Sequence, residues 1–200
     1  MLRDISLHIM DLVQNSVSAG AALVSVAIEA EPDADLLRVI ISDNGCGMSA
    51  EFLANVADPF TTSRTTRKVG MGIPFFKLAC EQADGGIELW SEPGKGTTII
   101  GQFCISHIDR LPLGDVGDSV RYLIMGSPEI DFVLTLSAGK KSFVFDTREV
   151  KRELGDVPIT EYDIMVWVKE SIDEEVTNIF GGVLNEIIGR TESPEGKGQS

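Results

Sequence analysis

Asp43-Asn44-Gly45-Cys46-Gly47-Met48 follows directly on a strand-like run at residues 36–42 and stops it sharply. A carboxylate therefore ends a buried strand, and two glycines come after it. Glycine lets the backbone turn tightly and lets a flat ligand approach without a Cβ in the way. A carboxylate at a strand end can accept a hydrogen bond from an exocyclic amine such as that of adenine. Taken alone, the same run also fits a plain Asn-Gly turn into a short helix with Ser49 as its N-cap.

Upstream, a second strand is expected at residues 22–30, joined to the first through the turn-rich residues 31–35. Before it, Ile5, Ile9, Leu12, Val13 and Val17 recur at helical spacing, with Gly20 as the stop. Asp11 and Asn15 stand four apart on one face of that helix. Asn15 offers a neutral oxygen suited to a hard cation such as Mg²⁺. Asp11 could polarise an attacking water or hydroxyl. Two polar residues on the wet side of an amphipathic helix would look the same.

Downstream, residues 56–69 lack periodicity and read as a loop. Val69-Gly70-Met71-Gly72 ends it and leads into a helix at about residues 73–83, with Pro74 in its first turn. A glycine-rich turn at a helix N-terminus presents N–H groups and the positive dipole end to phosphate. Strands are expected at residues 87–91 and 97–105, connected by the turn that contains Gly94-Lys95-Gly96 and followed by Thr97-Thr98.

A second unit is expected from residue 106 to 188. It contains a helix at 114–125, a hairpin of 130–137 and 142–146, and a short helix to Leu154 opened by Asp146 and Glu149 at capping-box spacing. A long helix from Thr160 follows, with an apolar stripe of Val176, Ile179, Phe180, Val183, Leu184, Ile187 and Ile188, interrupted at Gly181-Gly182. The stripe suits core, a docking helix or self-association. Residues 189–200 are polar and predict a disordered tail.

The formal net charge of −14 argues against non-specific nucleic-acid binding and against adhesion to anionic membranes. Before residue 106 the basic residues are Arg3, Arg38, Arg64, Arg67, Lys68, Lys77 and Lys95, so three of the seven fall within residues 64–68. Cys46, Cys80 and Cys104 are far apart and lack metal spacing. With no span-length apolar run and no signal-like start, a reducing, cytoplasmic setting is expected.

The four motifs occur in an order that resembles the GHKL ATPase superfamily of gyrase B, the ninety-kilodalton heat-shock chaperones, histidine kinases and MutL proteins. Residues 11–21 resemble its N box, residues 43–48 its first glycine box, and Asp58-Pro59-Phe60-Thr61-Thr62-Ser63 the histidine-kinase F box that opens an ATP lid. Gly70-Met71-Gly72 resembles the second glycine box and residues 94–98 the final Gly-Thr box; the likeness covers about residues 2–105.

The resemblance implies an α+β fold, a two-layer α/β sandwich of the Bergerat type. Its mixed, mostly antiparallel sheet would carry helices on one face, with a small α+β C-terminal unit. It implies ATP and Mg²⁺ as ligands, with Asn15 on the metal and Asp43 on the adenine amine. Gly45, Gly47 and Met48 would shape the base pocket, and Thr97 would support the base through Asp43. Gly70, Met71 and Gly72 would hold phosphate, and Phe60, Thr61, Thr62, Arg64 and Lys68 would belong to the lid, where positive charge stabilises the γ-phosphate. Asp11 would act as the base.

The match departs from the family at two points. Several family members carry glutamate where Asp11 stands, and aspartate is one methylene shorter. His8 and His107 are the sole histidines, and His8 lies within the first helix, so a self-contained sensor kinase is not expected. The expectation is cleavage of ATP, by hydrolysis or by transfer to a partner protein. The alternative is an ATP-gated interaction module with little turnover. Many relatives act as dimers, so a homodimer is compatible with either.

Overall fold

The computed structural model describes residues 2–56 and 71–181. Phe60, Thr61, Thr62, Arg64, Lys68 and Gly70, the rest of the loop at 57–69, the stripe positions Val183, Leu184, Ile187 and Ile188, and the tail all lie outside the described residues.

The chain is α+β, built on a six-stranded sheet. Helix α1 spans Ile5–Ser18, strands β1 and β2 span Leu23–Glu31 and Leu36–Asp43, and helix α2 spans Ala50–Val56. Helix α3 is Gly72–Glu81, β3 is Gly86–Glu92 and β4 is Gly96–Cys104. Then come α4 (Val116–Gly126), the hairpin β5 (Asp131–Ala138) and β6 (Lys141–Asp146), α5 (Thr147–Leu154) and α6 (Tyr162–Val176).

The strand order is β3-β4-β2-β1-β5-β6. Every neighbouring pair is antiparallel except β1 with β5. The expected division near residue 105 is crossed by this ladder, because β5 pairs with β1 from Leu23↔Asp131 to Ala30↔Ala138. The apolar core is likewise one cluster that runs from Ile5 to Phe180.

Period-two alternation makes one sheet face apolar. Val24, Val26 and Ile28 of β1, Leu37, Val39 and Ile41 of β2, and Phe132, Leu134 and Leu136 of β5 are all buried. α1 and α3 pack on the first four strands, α4 sits between α1 and α6, and residues 177–181 close against β5 and β6.

Helix α1 is held at both ends. The Asp4 carboxylate accepts the Leu7 N–H at 2.9 Å. The Ile5 and Ser6 N–H groups donate to the carbonyls of Pro112 and Leu113 at 2.9 and 2.8 Å. Its end is marked by Gly20, whose φ of 74° favours glycine.

The expected long C-terminal helix is shorter in α geometry. It widens into a π turn at Thr177–Gly181. The Thr177 hydroxyl donates to the Asp173 carbonyl at 2.9 Å, beside the Thr177 N–H that bonds the same carbonyl, and Gly181 at the far end of the turn lowers helix propensity. The widened turn buries Ile179 and Phe180 together.

Candidate functional site

The end of β2 is the anchor of the site. Asp43 Oδ2 accepts the Ser16 hydroxyl at 2.7 Å, and Oδ1 accepts the Gly45 N–H at 2.8 Å. The first bond ties α1 to β2 at the residue after Asn15, and so brings the helix motif beside the glycine turn. Each carboxylate oxygen keeps a further lone pair for an incoming donor. The Cys46 N–H donates to the Ala19 carbonyl at 3.0 Å, and Asn44 Oδ1 accepts the N–H groups of Ala22 and Leu23 at 2.8 and 2.9 Å. The turn is thus fastened to the end of α1 and the start of β1.

Two glycines are required by the packing. Gly47 has φ 65°, and a Cβ there would lie 2.0 Å from the Glu92 carbonyl oxygen. Gly96 has φ 101°, and its Cβ would lie 1.9 Å from the Asp43 carbonyl oxygen. The β3–β4 turn therefore presses directly on the Asp43 turn.

Ser91 locks that contact. Its Oγ accepts the Met48 N–H at 2.8 Å and lies 2.9 Å from both the Gly96 carbonyl oxygen and Thr97 Oγ1. Thr97 stands opposite Asp43 in the β2–β4 ladder, and its hydroxyl is directed to Ser91.

On the other side, α3 begins against the Asp11/Asn15 face of α1. A Cβ on Gly72 would come within 2.6 Å of Asp11 Oδ2 and 3.5 Å of Asn15 Nδ2. Met71 is the N-cap of α3 and makes no side-chain capping bond. The positive end of this helix is therefore uncapped by a side chain and lies next to an exposed Asp11. Among the described residues Asn15 Nδ2 is buried without a hydrogen-bond partner, a state that normally calls for an added ligand or water.

The structure thus brings together Asp11, Asn15, Met71 and Gly72 on one side, and Asp43, Gly45, Gly47, Met48 and Thr97 on the other. Ser16 and Ser91 were missed by the sequence reading. Ser16 had a usable signal, since it falls on the apolar side of α1 with Ile9, Leu12 and Val13 and is only 4 % exposed. Ser91 had none, because it reads as an ordinary strand serine.

His8 lies one turn before Asp11. It is fully buried, neither ring nitrogen has a partner among the described residues, and its ring packs on Phe76 at 5.8 Å. Burial lowers its pKa from 6.5, against the pull of Asp11 and Asp4 toward the charged form. The unfolded chain then binds the extra proton, so stability falls as pH drops below about 6.5. Denaturant titrations at pH 7.5 and 5.5 are expected to show a larger acid loss for the wild type than for His8→Leu. Equal losses would mean His8 is charged in the folded state.

These elements meet at one end of the α+β sandwich. The family described as Histidine kinase-, DNA gyrase B-, and HSP90-like ATPase matches residues 3–107, and the chain belongs to that family. It is similar to the Caulobacter vibrioides Non-motile and phage-resistance protein, 32% identical over 111 residues, which covers 51% of this chain and 13% of the relative. It is also similar to Sensor protein kinase FleS of Pseudomonas aeruginosa, 35% identical over 89 residues, 44% of this chain and 22% of that protein. The chain therefore spans less than a quarter of either relative's length. The solved Aquifex aeolicus MutL ATPase domain complexed with ADP aligns with TM-score 0.45 and 19% identity, over 76% of this chain and 68% of that one. Among the described residues no helix is long and apolar enough to cross a membrane.

Proposed function

We propose that the chain binds ATP with Mg²⁺ and cleaves it, by hydrolysis or by transfer of the γ-phosphoryl to a partner protein in a cytoplasmic setting. The observation that carries this reading is the approach of Gly72 to Asp11 and Asn15. It sets a helix N-terminus, a carboxylate and an amide around one point, which is what a polyphosphate and its counter-ion require. The orphaned Asn15 amide fits a site that is completed by a ligand. Mg²⁺ held by Asn15 would neutralise phosphate charge. Asp43 accepts the adenine amine, with Ser16 and the Gly45 N–H holding its carboxylate in orientation. Gly45, Gly47 and Met48 shape the base pocket. Thr97 and Ser91 brace it. Asp11 orients or deprotonates the attacking hydroxyl. Phe60, Thr61, Thr62, Arg64, Lys68 and Gly70 complete the reading as lid and phosphate contacts.

A second reading, an ATP-gated interaction module, is favoured by one cross-sheet row. Thr97 lies opposite Asp43, Asp43 opposite Val24, and Val24 opposite Phe132. The Phe132 N–H donates to the buried Thr147 hydroxyl at 2.8 Å. The base-binding position is thus two ladder steps from the C-terminal part of the chain, and 106–188 would pass nucleotide state to a partner.

Calorimetry and phosphate release separate these readings. Wild type should bind Mg-ATP and release phosphate, or label a partner. Asn15→Ala should lose most of the Mg²⁺ dependence of binding. Asp11→Ala should keep binding and lose about 100-fold or more in turnover, the usual share of a positioned base. Turnover of Asp11→Ala equal to wild type overturns the catalytic assignment. Tight binding without turnover in the wild type selects the module.

A further inference from the structure

Strand β6 ends the sheet, and among the described residues it has a strand on one side only. Together with α5 and α6 it lines a groove of about 350 Å³ that includes Phe143, Val144, Glu149, Trp167, Glu174 and Glu175. Trp167 is 52% exposed, so a large apolar side chain of the rim faces outward. Trp167, Ser171 and Glu174 fall at i, i+4 and i+7, which puts them on one face of α6.

An open strand edge leaves backbone N–H and C=O groups ready to pair with an added strand. The rim chooses the partner's charge. Glu174 and Glu175 make no ion pair among the described residues, and Glu149 meets Arg152 only at 3.9 Å. A second copy of this chain, at net charge −14, would bring the same carboxylates against them.

We propose that the β6 edge and the facing side of α6 form a docking groove for an extended segment of another protein that turns both apolar and lysine or arginine side chains toward α6. Main-chain bonds to β6 hold the segment, Trp167 takes an apolar side chain, and Glu149, Glu174 and Glu175 take its charges. The groove lies outside residues 3–107.

The test uses the full chain, isotope-labelled for NMR, with the capped heptapeptide Val-Thr-Lys-Thr-Val-Thr-Lys as probe, whose valines and lysines share one face, and the counterpart with glutamate in place of lysine as control. Saturable shifts of the amides at residues 141–146 and of the Trp167 indole are expected, and added salt should weaken them. The double substitution Glu174→Lys, Glu175→Lys should reduce peptide affinity about tenfold or more while leaving ATP affinity unchanged. Trp167→Ser should do the same without altering charge. Circular dichroism establishes that both variants are folded. The proposal is overturned if residues 141–146 do not shift at millimolar peptide, or if the glutamate peptide binds equally well. It is also overturned if contacts in the free chain show β6 already paired with residues 183–188 or with a second copy.

Discussion

Asp43→Ala is expected to remove ATP binding in calorimetry and to lower thermal stability at the same time. The carboxylate serves two donors inside the protein, Ser16 and the Gly45 N–H, and has lone pairs left for the base. Hydrogen bonds to a charged group contribute about 1.5–3 kcal/mol each, and a buried hydroxyl left without its partner costs about 1–3 kcal/mol. Ser16 is that hydroxyl, being 4 % exposed. Loss of the base contact alone corresponds to roughly 10- to 150-fold in affinity. Asp43→Asn separates the two effects. Its amide keeps the shape and can still bond Ser16, so the melting temperature should stay close to wild type. Its NH₂ meets the adenine amine donor to donor, so affinity should fall by about 100-fold. If Asp43→Asn binds ATP as wild type does, Asp43 is a structural brace and not the base contact.

Gly47→Ala should be among the most damaging methyl groups that can be added at the site. Two penalties act together. The φ of 65° costs about 1–2 kcal/mol for a residue with a Cβ. The Cβ also falls 2.0 Å from the Glu92 carbonyl oxygen, and a backbone atom cannot swing away as a side chain can. A total of about 3–5 kcal/mol is expected, which lowers the melting temperature by roughly 10 °C in a chain of this size. Gly94→Ala is the control. Its φ is 77°, yet nothing lies within 4 Å of its Cβ, so only the backbone penalty applies. That variant should lose about 1 kcal/mol, roughly 2–4 °C. Equal losses at the two positions would show that the turns do not press together as described.

The alternating strands and the helical stripe of α1 were legible because burial on one face imposes periods of 2 and 3.6 on the sequence. The Asp43–Met48 turn was legible because glycine marks backbone that other residues cannot follow. Contacts distant in sequence were not. That Gly96 abuts Asp43, that Gly72 abuts Asp11, and that Ser91 joins Met48 to Thr97 depends on how separate elements meet. The π turn at Thr177–Gly181 falls in a stretch that reads as helix up to an interruption at Gly181-Gly182, because its apolar residues keep helical spacing whatever the local pitch. The second unit was read as separate because nothing in the hairpin at 130–146 says which earlier strand it will join.

That joining has a cost in time. β1 sits in the middle of the sheet, yet its partner β5 arrives 108 residues later, as the pair Leu23↔Asp131 shows. While the chain is being synthesised, an apolar strand of Val24, Val26 and Ile28 waits with one side open. Pairing across so long a loop is slow, and an open apolar edge invites the wrong neighbour meanwhile. A chain cut after residue 107 would hold β1 in that waiting state permanently, so nascent-chain folding completes only once the hairpin at Asp131–Asp146 has left the ribosome.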